Sequence, residues 1–285
     1  MQLGRGASLA VNLVQNALRP GYGREMLRKL WIRWRERGQE SRRAQSVEWC
    51  RERQVDAAAW ARSIDRELWS EAEAFADEQQ ALAARKSDEL GMPVGGAGFH
   101  ALLYFLTRYV RPATVVETGV AFGFSSRAFL RALSDNGAGR LFSSDFPYFR
   151  QSEPERLIGV LVEPGLRDRW TLLVAGDRAN LPIIASETER IDLLHYDSDK
   201  SCSGRAFALH TLRASLAKDA LVVFDDIQDN LHFRDWMQVT RADHWIFEYG
   251  GKWIGMTGGP RELYAIPTAS PGFGRADQVP STASR

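Results

Sequence analysis

Acidic residues close four short apolar runs of this chain: Asp145 in "LFSSDFP", Asp177 in "VAGDRANLP", Asp197 in "IDLLHYDSDKSCSG", and Asp225 with Asp226 in "LVVFDDIQDN". A carboxylate so placed can accept hydrogen bonds from paired hydroxyls, hold an ammonium, or help ligate a hard divalent cation. It can equally cap the helix that follows, since Asp is favoured at helix N-caps. In "YDSDKSCSG" the acids Asp197 and Asp199 and the base Lys200 fall within four positions. A lysine there can neutralise its neighbours in a solvated loop. It can also take a proton, if burial or positive neighbours lower its pKa from about 10.4. His195 precedes Asp197 by two, so strand alternation sends both to one face; a packed histidine is expected there. His232, beyond "FDDIQDN", is better placed for proton transfer, because loops past strand ends commonly carry function. Cys202 carries no signal of a lowered thiol pKa.

A different chemistry attaches to "VVETGVAFGFSS", where an apolar run meets an acid, a glycine turn and a helix start. In an open parallel sheet, ligands bind beyond the carboxyl ends of strands. A dinucleotide fingerprint requires glycines two and five positions after Gly119, and those positions hold Ala121 and Phe124. A phosphate-cradling loop requires Gly-Lys-Ser/Thr, and Gly123-Phe124-Ser125 lacks the lysine. What stands there is Glu117-x-Gly119-x-x-x-Gly123, then Ser125 and Ser126. Gly119 lets the backbone turn and approach a ligand, while Glu117 offers acceptors to an ammonium. Both suit S-adenosylmethionine, which has an ammonium, a sulfonium and no phosphate. Asp145 at the next strand end suits a ribose diol, and Gly176-Asp177 at the third an adenine edge.

The elements that must position these groups alternate. Candidate strands are 114–117, 140–145, 170–175, 191–196 and 221–225; helical patterns cover 125–133, 154–161, a weak segment after Asn180, and 204–216. Such alternation predicts an α/β fold with a parallel sheet covered on both faces. "HWIFEYGGKWIGMTGG" reads as an aromatic hairpin turning at Gly250-Gly251. Upstream, apolar residues at three- and four-residue spacing among arginines predict an amphipathic basic helix over 22–37, and a longer helix over 56–86 ends at "GMPVGGAG". The tail from Thr268 is rich in Ser, Pro, Gly and Ala and is expected to be disordered.

Composition narrows the setting. The 285 residues carry a net charge of +1, which gives no global reason to expect nucleic acid or membrane. Residues 1–53, however, hold twelve Lys/Arg against five Glu, leaving the remainder acidic. That acidic remainder disfavours an RNA substrate, whose binding face should be basic. The basic arm could lie on an anionic membrane surface, hold an acidic partner, or dock as a solvated helical cap. Two cysteines give no disulfide framework and no metal or redox pair. No apolar run reaches the roughly 18 residues of a membrane span, and a signal peptide is not expected in the first 18 residues. A cytoplasmic location fits best, and homo-oligomerisation is left open.

In the order of its motifs, "VVETGVAFGFSS", "LFSSDFP", "VAGDRANLP", "IDLLHYDSDKSCSG" and "LVVFDDIQDN", the chain resembles the class I S-adenosylmethionine-dependent methyltransferases, specifically their small-molecule O-methyltransferase group. The resemblance implies a doubly wound, mostly parallel seven-stranded Rossmann-like sheet of order 3-2-1-4-5-7-6, its seventh strand antiparallel. It divides the chain into a basic helical extension (1–90), the methyltransferase domain (91–267) and a tail (268–285). The cofactor would then meet Glu117, Gly119, Gly123, Ser125, Asp145, Gly176, Asp177 and Asp197. Some members of the group bind Mg2+, which here implicates Asp197, Asp225 and Asp226, with Lys200 assisting deprotonation of the acceptor hydroxyl. Asp226 stands where many metal-dependent members carry Asn, so a metal-independent enzyme, including one transferring to nitrogen, remains an alternative. A non-catalytic binding module with a basic arm is another. The leading expectation is O-methylation of a small molecule or saccharide, with Lys200, Asp197 and His232 as the catalytic candidates.

Overall fold

A computed structural model gives the structure of the protein and describes residues 15–19, 22–35, 40–96, 98–147 and 154–265. Residues 1–14 of the 18 weighed for a signal peptide, and the tail (268–285), lie outside the described residues. Two helices open the described chain, α1 (Tyr22–Arg35) and α2 (Glu40–Arg53), and a two-residue strand β1 (Gln54–Val55) follows. Instead of one long helix over 56–86 there are two, α3 (Ala57–Ile64) and α4 (Arg66–Leu90). Asp65 causes the break: it closes α3 in extended backbone and its carboxylate caps α4 by accepting the Leu68 N–H at 2.9 Å. Gly91, left-handed at φ 62°, ends α4.

Helix α5 (His100–Val110) leads into the alternating core: β2 (Thr114–Thr118), α6 (Phe124–Asp135), β3 (Arg140–Ser144), β4 (Trp170–Leu173), α7 (Asp177–Glu187), β5 (Ile191–Tyr196), α8 (Cys202–Leu212) and β6 (Leu216–Phe224). Then come α9 (His232–Thr240) and the hairpin β7 (His244–Tyr249) and β8 (Lys252–Thr257). Two expectations shift. The helix from Pro154 is a single 3-10 turn, Pro154–Leu157, and the helix expected to reach Leu216 stops at Leu212, because the chain turns over 213–215 to enter β6 at Leu216. Both hairpin glycines have positive φ, 59° and 81°, as a tight two-residue turn demands.

The sheet runs β1-β7-β8-β6-β5-β2-β3-β4. Counted from β2, its main body has the expected order 3-2-1-4-5-7-6, with β8 antiparallel to both neighbours. The expected seven strands become eight, because β1 from the N-terminal arm pairs parallel with β7. Strand alternation splits the core into two layers. Val115, Leu141, Leu193, Leu221 and Val223 meet Trp60, Trp69, Phe75 and the helices α5 and α6. Val116, Leu194, Tyr196, Val222 and Phe224 meet α7, α8, α9 and Cys50 of α2.

Candidate active site

The ends of β2, β3, β5 and β6 and the helix α1 enclose a cavity of about 620 Å³, within the roughly 300–1,000 Å³ of small-molecule sites. Gly119, Ser125, Asp145, Gly176, Asp177, Asp197, Lys200, Asp225 and Asp226 all line it. The topology therefore gathers most of the residues selected from sequence.

Gly119 begins the turn after β2 with φ 84°, and a Cβ there would lie 2.5 Å from the Asp197 carbonyl oxygen. Only glycine lets the β2 and β5 turns close on each other at this point. Asp145 accepts the Ala121 and Phe146 N–H groups at 2.8 and 2.7 Å, yet burial pushes its carboxyl up to about 6. Asp177 accepts Ser144 Oγ at 2.7 Å and Ser198 Oγ, and burial raises it too. Buried acids without a full counter-charge form a wall suited to a cationic ligand. With the glycine turn, they fit S-adenosylmethionine.

In the same cavity, carboxylate oxygens of Asp197, Asp225 and Asp226 lie within 4.8 Å of one another. Lys200 Nζ contacts Asp197 and stands 2.7 Å from Asp226; Lys252 Nζ stands 3.2 Å from Asp226. Burial opposes ionisation of Asp226, but the two lysines outweigh it and hold the carboxyl below its ordinary value. Asp225, more deeply buried, is raised. The fully buried Arg205 donates to the carbonyls of Asp225 and Asp226 at 3.0 and 2.8 Å, fixing the backbone of the pair. Three carboxylates at this spacing are hard donors that fit Mg2+, with the lysines as the cations now balancing them.

Three selected residues are elsewhere. Glu117 is fully buried behind the turn, its Oε2 accepting Ser126 and Ser143 hydroxyls at 2.6 and 2.8 Å. It does not line the cavity. Gly123 is packed against Gly159, whose Cα would lie 2.7 Å from an added Cβ, so it serves the turn and not the cavity wall. His232, the first residue of α9, sets its ring 6.1 Å from that of Phe224 and lies off the wall, and burial lowers it to about 4.

Sequence reasoning missed the contribution of α1. Glu25, Arg28, Lys29 and Ile32 roof the cavity, and Lys29 Nζ sits 4.8 Å above the Phe146 ring. Arg28 donates to Asp199 at 2.9 Å and to Glu25 at 2.5 and 2.8 Å. Asp199 therefore ties the β5 loop to the arm. His100 and His195 also line the cavity as buried neutral imidazoles, lowered by burial to about 4 and about 3. His195 Nδ1 has no hydrogen-bond partner among the described residues. The amphipathic, basic pattern of α1 was legible, but its place over the cavity carried no local signal.

Glu117 gives a pH-dependent prediction. Burial lifts its carboxyl to about 7. A raised acid favours the native state fully below its unfolded value, and that contribution is lost as pH rises through the folded value. Stability should fall by roughly 3 kcal/mol between about pH 4.5 and 7 through this group alone. Glu117→Gln is expected to abolish that slope, raising the melting temperature relative to the parent at pH 8 and leaving it unchanged at pH 4. Parallel pH profiles of the two proteins would remove the assignment.

Residues 116–227 match the family described as "Methyltransferase domain". The order of the sheet agrees with that match: it is the order expected of a class I S-adenosylmethionine-dependent methyltransferase fold. Among solved structures, it is similar to cofactor-bound Rv0187 from MTB (20% identity, TM-score 0.51, covering 65% of this chain and 94% of that one). It is similar also to a putative O-methyltransferase from Klebsiella pneumoniae (16%, 0.50, 64% and 89%). A third is the O-methyltransferase from Bacillus cereus in complex with SAH (15%, 0.50, 64% and 90%). These likenesses are of fold. No curated protein matches the chain.

Proposed function

We propose that the protein transfers a methyl group from S-adenosylmethionine to a hydroxyl oxygen of a small molecule or saccharide, with a divalent cation such as Mg2+ held by Asp197, Asp225 and Asp226. One observation carries the reading: the three carboxylates and Lys200 share a single cavity with the Gly119 turn and the acidic wall of Asp145 and Asp177. When bound, S-adenosylmethionine supplies a methyl group already activated by its sulfonium, and the cation supplies a positive charge that lowers the pKa of an acceptor hydroxyl. Asp145 would receive the ribose hydroxyls and Gly176-Asp177 the adenine end. Asp197 would orient donor against acceptor, and Lys200, an ammonium between Asp197 and Asp226, would take the acceptor proton only after releasing its own to solvent, once the bound cation replaces its charge beside the carboxylates. The helix α1 roofs the site and excludes water from it.

The direct test is a screen of phenolic, saccharide and amine acceptors with methyl-labelled S-adenosylmethionine. Label on oxygen, lost with EDTA and restored by Mg2+, is the expected result; label on nitrogen would sink the acceptor class. A metal-independent version of the same transfer is favoured by one observation, that Lys200 and Lys252 already balance the carboxylates. Calorimetric titration separates the two. Mg2+ binding that disappears in Asp225→Asn supports the cation, whereas no heat of binding together with EDTA-resistant turnover supports the metal-free enzyme.

A further inference from the structure

Helix α1 has a second face that the catalytic reading does not use. Its inner side, with Glu25, Met26 and Ile32 buried, closes the cavity. Its outer side exposes Leu27 at 68%, Leu30 at 58% and Trp31 at 53%, and Leu18 just upstream is 81% exposed. Large apolar side chains one helical turn apart on an outward face are uncommon on a soluble surface and mark an interaction site. The helix sequence YGREMLRKLWIRWR carries five Lys/Arg and a single Glu; of these, Glu25, Arg28 and Lys29 turn to the cavity, where Glu25 pairs with Arg28. Exposed Arg24 lies on the outer side with the leucines. Apolar residues flanked by cations on one helix are the composition of an interfacial helix on anionic lipid. An acidic protein surface would match the charges alone and leave the leucines and tryptophan in water.

We infer that the outer face of α1 docks on an anionic lipid bilayer, with Leu27, Leu30 and Trp31 entering the headgroup boundary and Arg24 beside them meeting the lipid charge. Leu30 lies on the rim of the cavity as well as on this face. Docking therefore sets the mouth of the cavity against the membrane, where a lipid-linked acceptor is presented. That last consequence rests on the methyl-transfer reading; the docking does not.

The experiment is co-sedimentation of the full chain with vesicles of phosphatidylcholine alone and of phosphatidylcholine with phosphatidylglycerol, at low and high salt. Binding to the anionic vesicles only, weakened by salt, is expected. Leu27→Glu, which alters a residue outside the cavity wall, should reduce the bound fraction at least about tenfold, with melting temperature and S-adenosylhomocysteine affinity unchanged. Equal sedimentation of parent and variant, or none by the parent, overturns the proposal. So does a concentration-dependent dimer lost in Leu27→Glu without vesicle binding, which would assign the face to a second copy of this chain. Loss of S-adenosylhomocysteine binding in the parent would instead strike the methyl-transfer reading and leave the docking result standing.

Discussion

Lys200→Ala is expected to lower kcat by about 10²- to 10⁴-fold, the usual contribution of a positioned proton acceptor, while leaving S-adenosylhomocysteine affinity nearly unchanged. Other candidates for the proton are poorly placed. His232 lies off the wall, and His195 and His100 line the cavity as buried rings whose charged form burial disfavours, with the nearby Lys200 charge disfavouring that of His195 further. Lys200 contacts Asp197 and reaches Asp226 at 2.7 Å, at the point where the cofactor wall and the carboxylate cluster meet. Charge alone could explain that position, since three acids need balancing. Lys200→Arg separates the two roles: it keeps the positive charge but cannot give up its proton at ordinary pH. A slow Lys200→Arg enzyme supports proton transfer. Recovery of turnover by Lys200→Arg, or an unchanged kcat in Lys200→Ala, would confine Lys200 to charge balance. The same substitution carries a second sign. With Lys200 gone, Lys252 is the lysine left beside the cluster among the described residues, so the affinity for Mg2+ should rise in Lys200→Ala even as turnover falls.

Legibility of this fold in its sequence followed the range of the forces involved. Strand β5 runs Ile191–Tyr196, as its apolar pattern and its polar boundary predict, and the Gly250-Gly251 hairpin was readable because its turn has local chemistry. Helix α5 was missed for the opposite reason. Every residue from His100 to Thr107 is buried, so "HALLYFLT" shows no polar face and no 3.6-residue rhythm. The strand-end acids were found because a parallel sheet collects the carboxyl ends of its strands at one edge, a rule of topology that needs no contact map. Which side of a strand end faces the ligand is a different matter. Thr118 and Glu117 point to opposite faces of β2, and nothing local says that the face chosen by Glu117 leads to Ser126 and Ser143 and not to the cavity. The Arg28–Asp199 pair spans 171 positions. No pattern within either segment could announce it, although that pair makes the arm part of the site.

Gly119→Ala is the substitution expected to damage fold and cofactor site together. Its φ of 84° lies in the left-handed region, and the added Cβ would stand 2.5 Å from the Asp197 carbonyl oxygen and 2.8 Å from its carbon. Those are backbone atoms, so no rotamer change relieves the clash. Nor can the two turns part freely: Thr118 pairs with Tyr196 in the β2–β5 ladder, and the Asp197 N–H donates to the Thr118 carbonyl at 3.0 Å. Relief must break that bond or bend the end of β5, a cost of roughly 2–4 kcal/mol. For a domain of this size it should lower the melting temperature by about 5–15 °C. The displaced atoms belong to Asp197, so the site moves with them, and S-adenosylhomocysteine affinity should fall more than about tenfold at any temperature where the variant is still folded. Gly165→Ala is the control, since an added Cβ there meets nothing within 4 Å; its stability should stay within about 0.5 kcal/mol of the parent. Calorimetric melting and S-adenosylhomocysteine titration of both variants decide the matter. If Gly119→Ala behaves as Gly165→Ala does in both measurements, the close approach of the two turns is not what holds the cofactor site in shape.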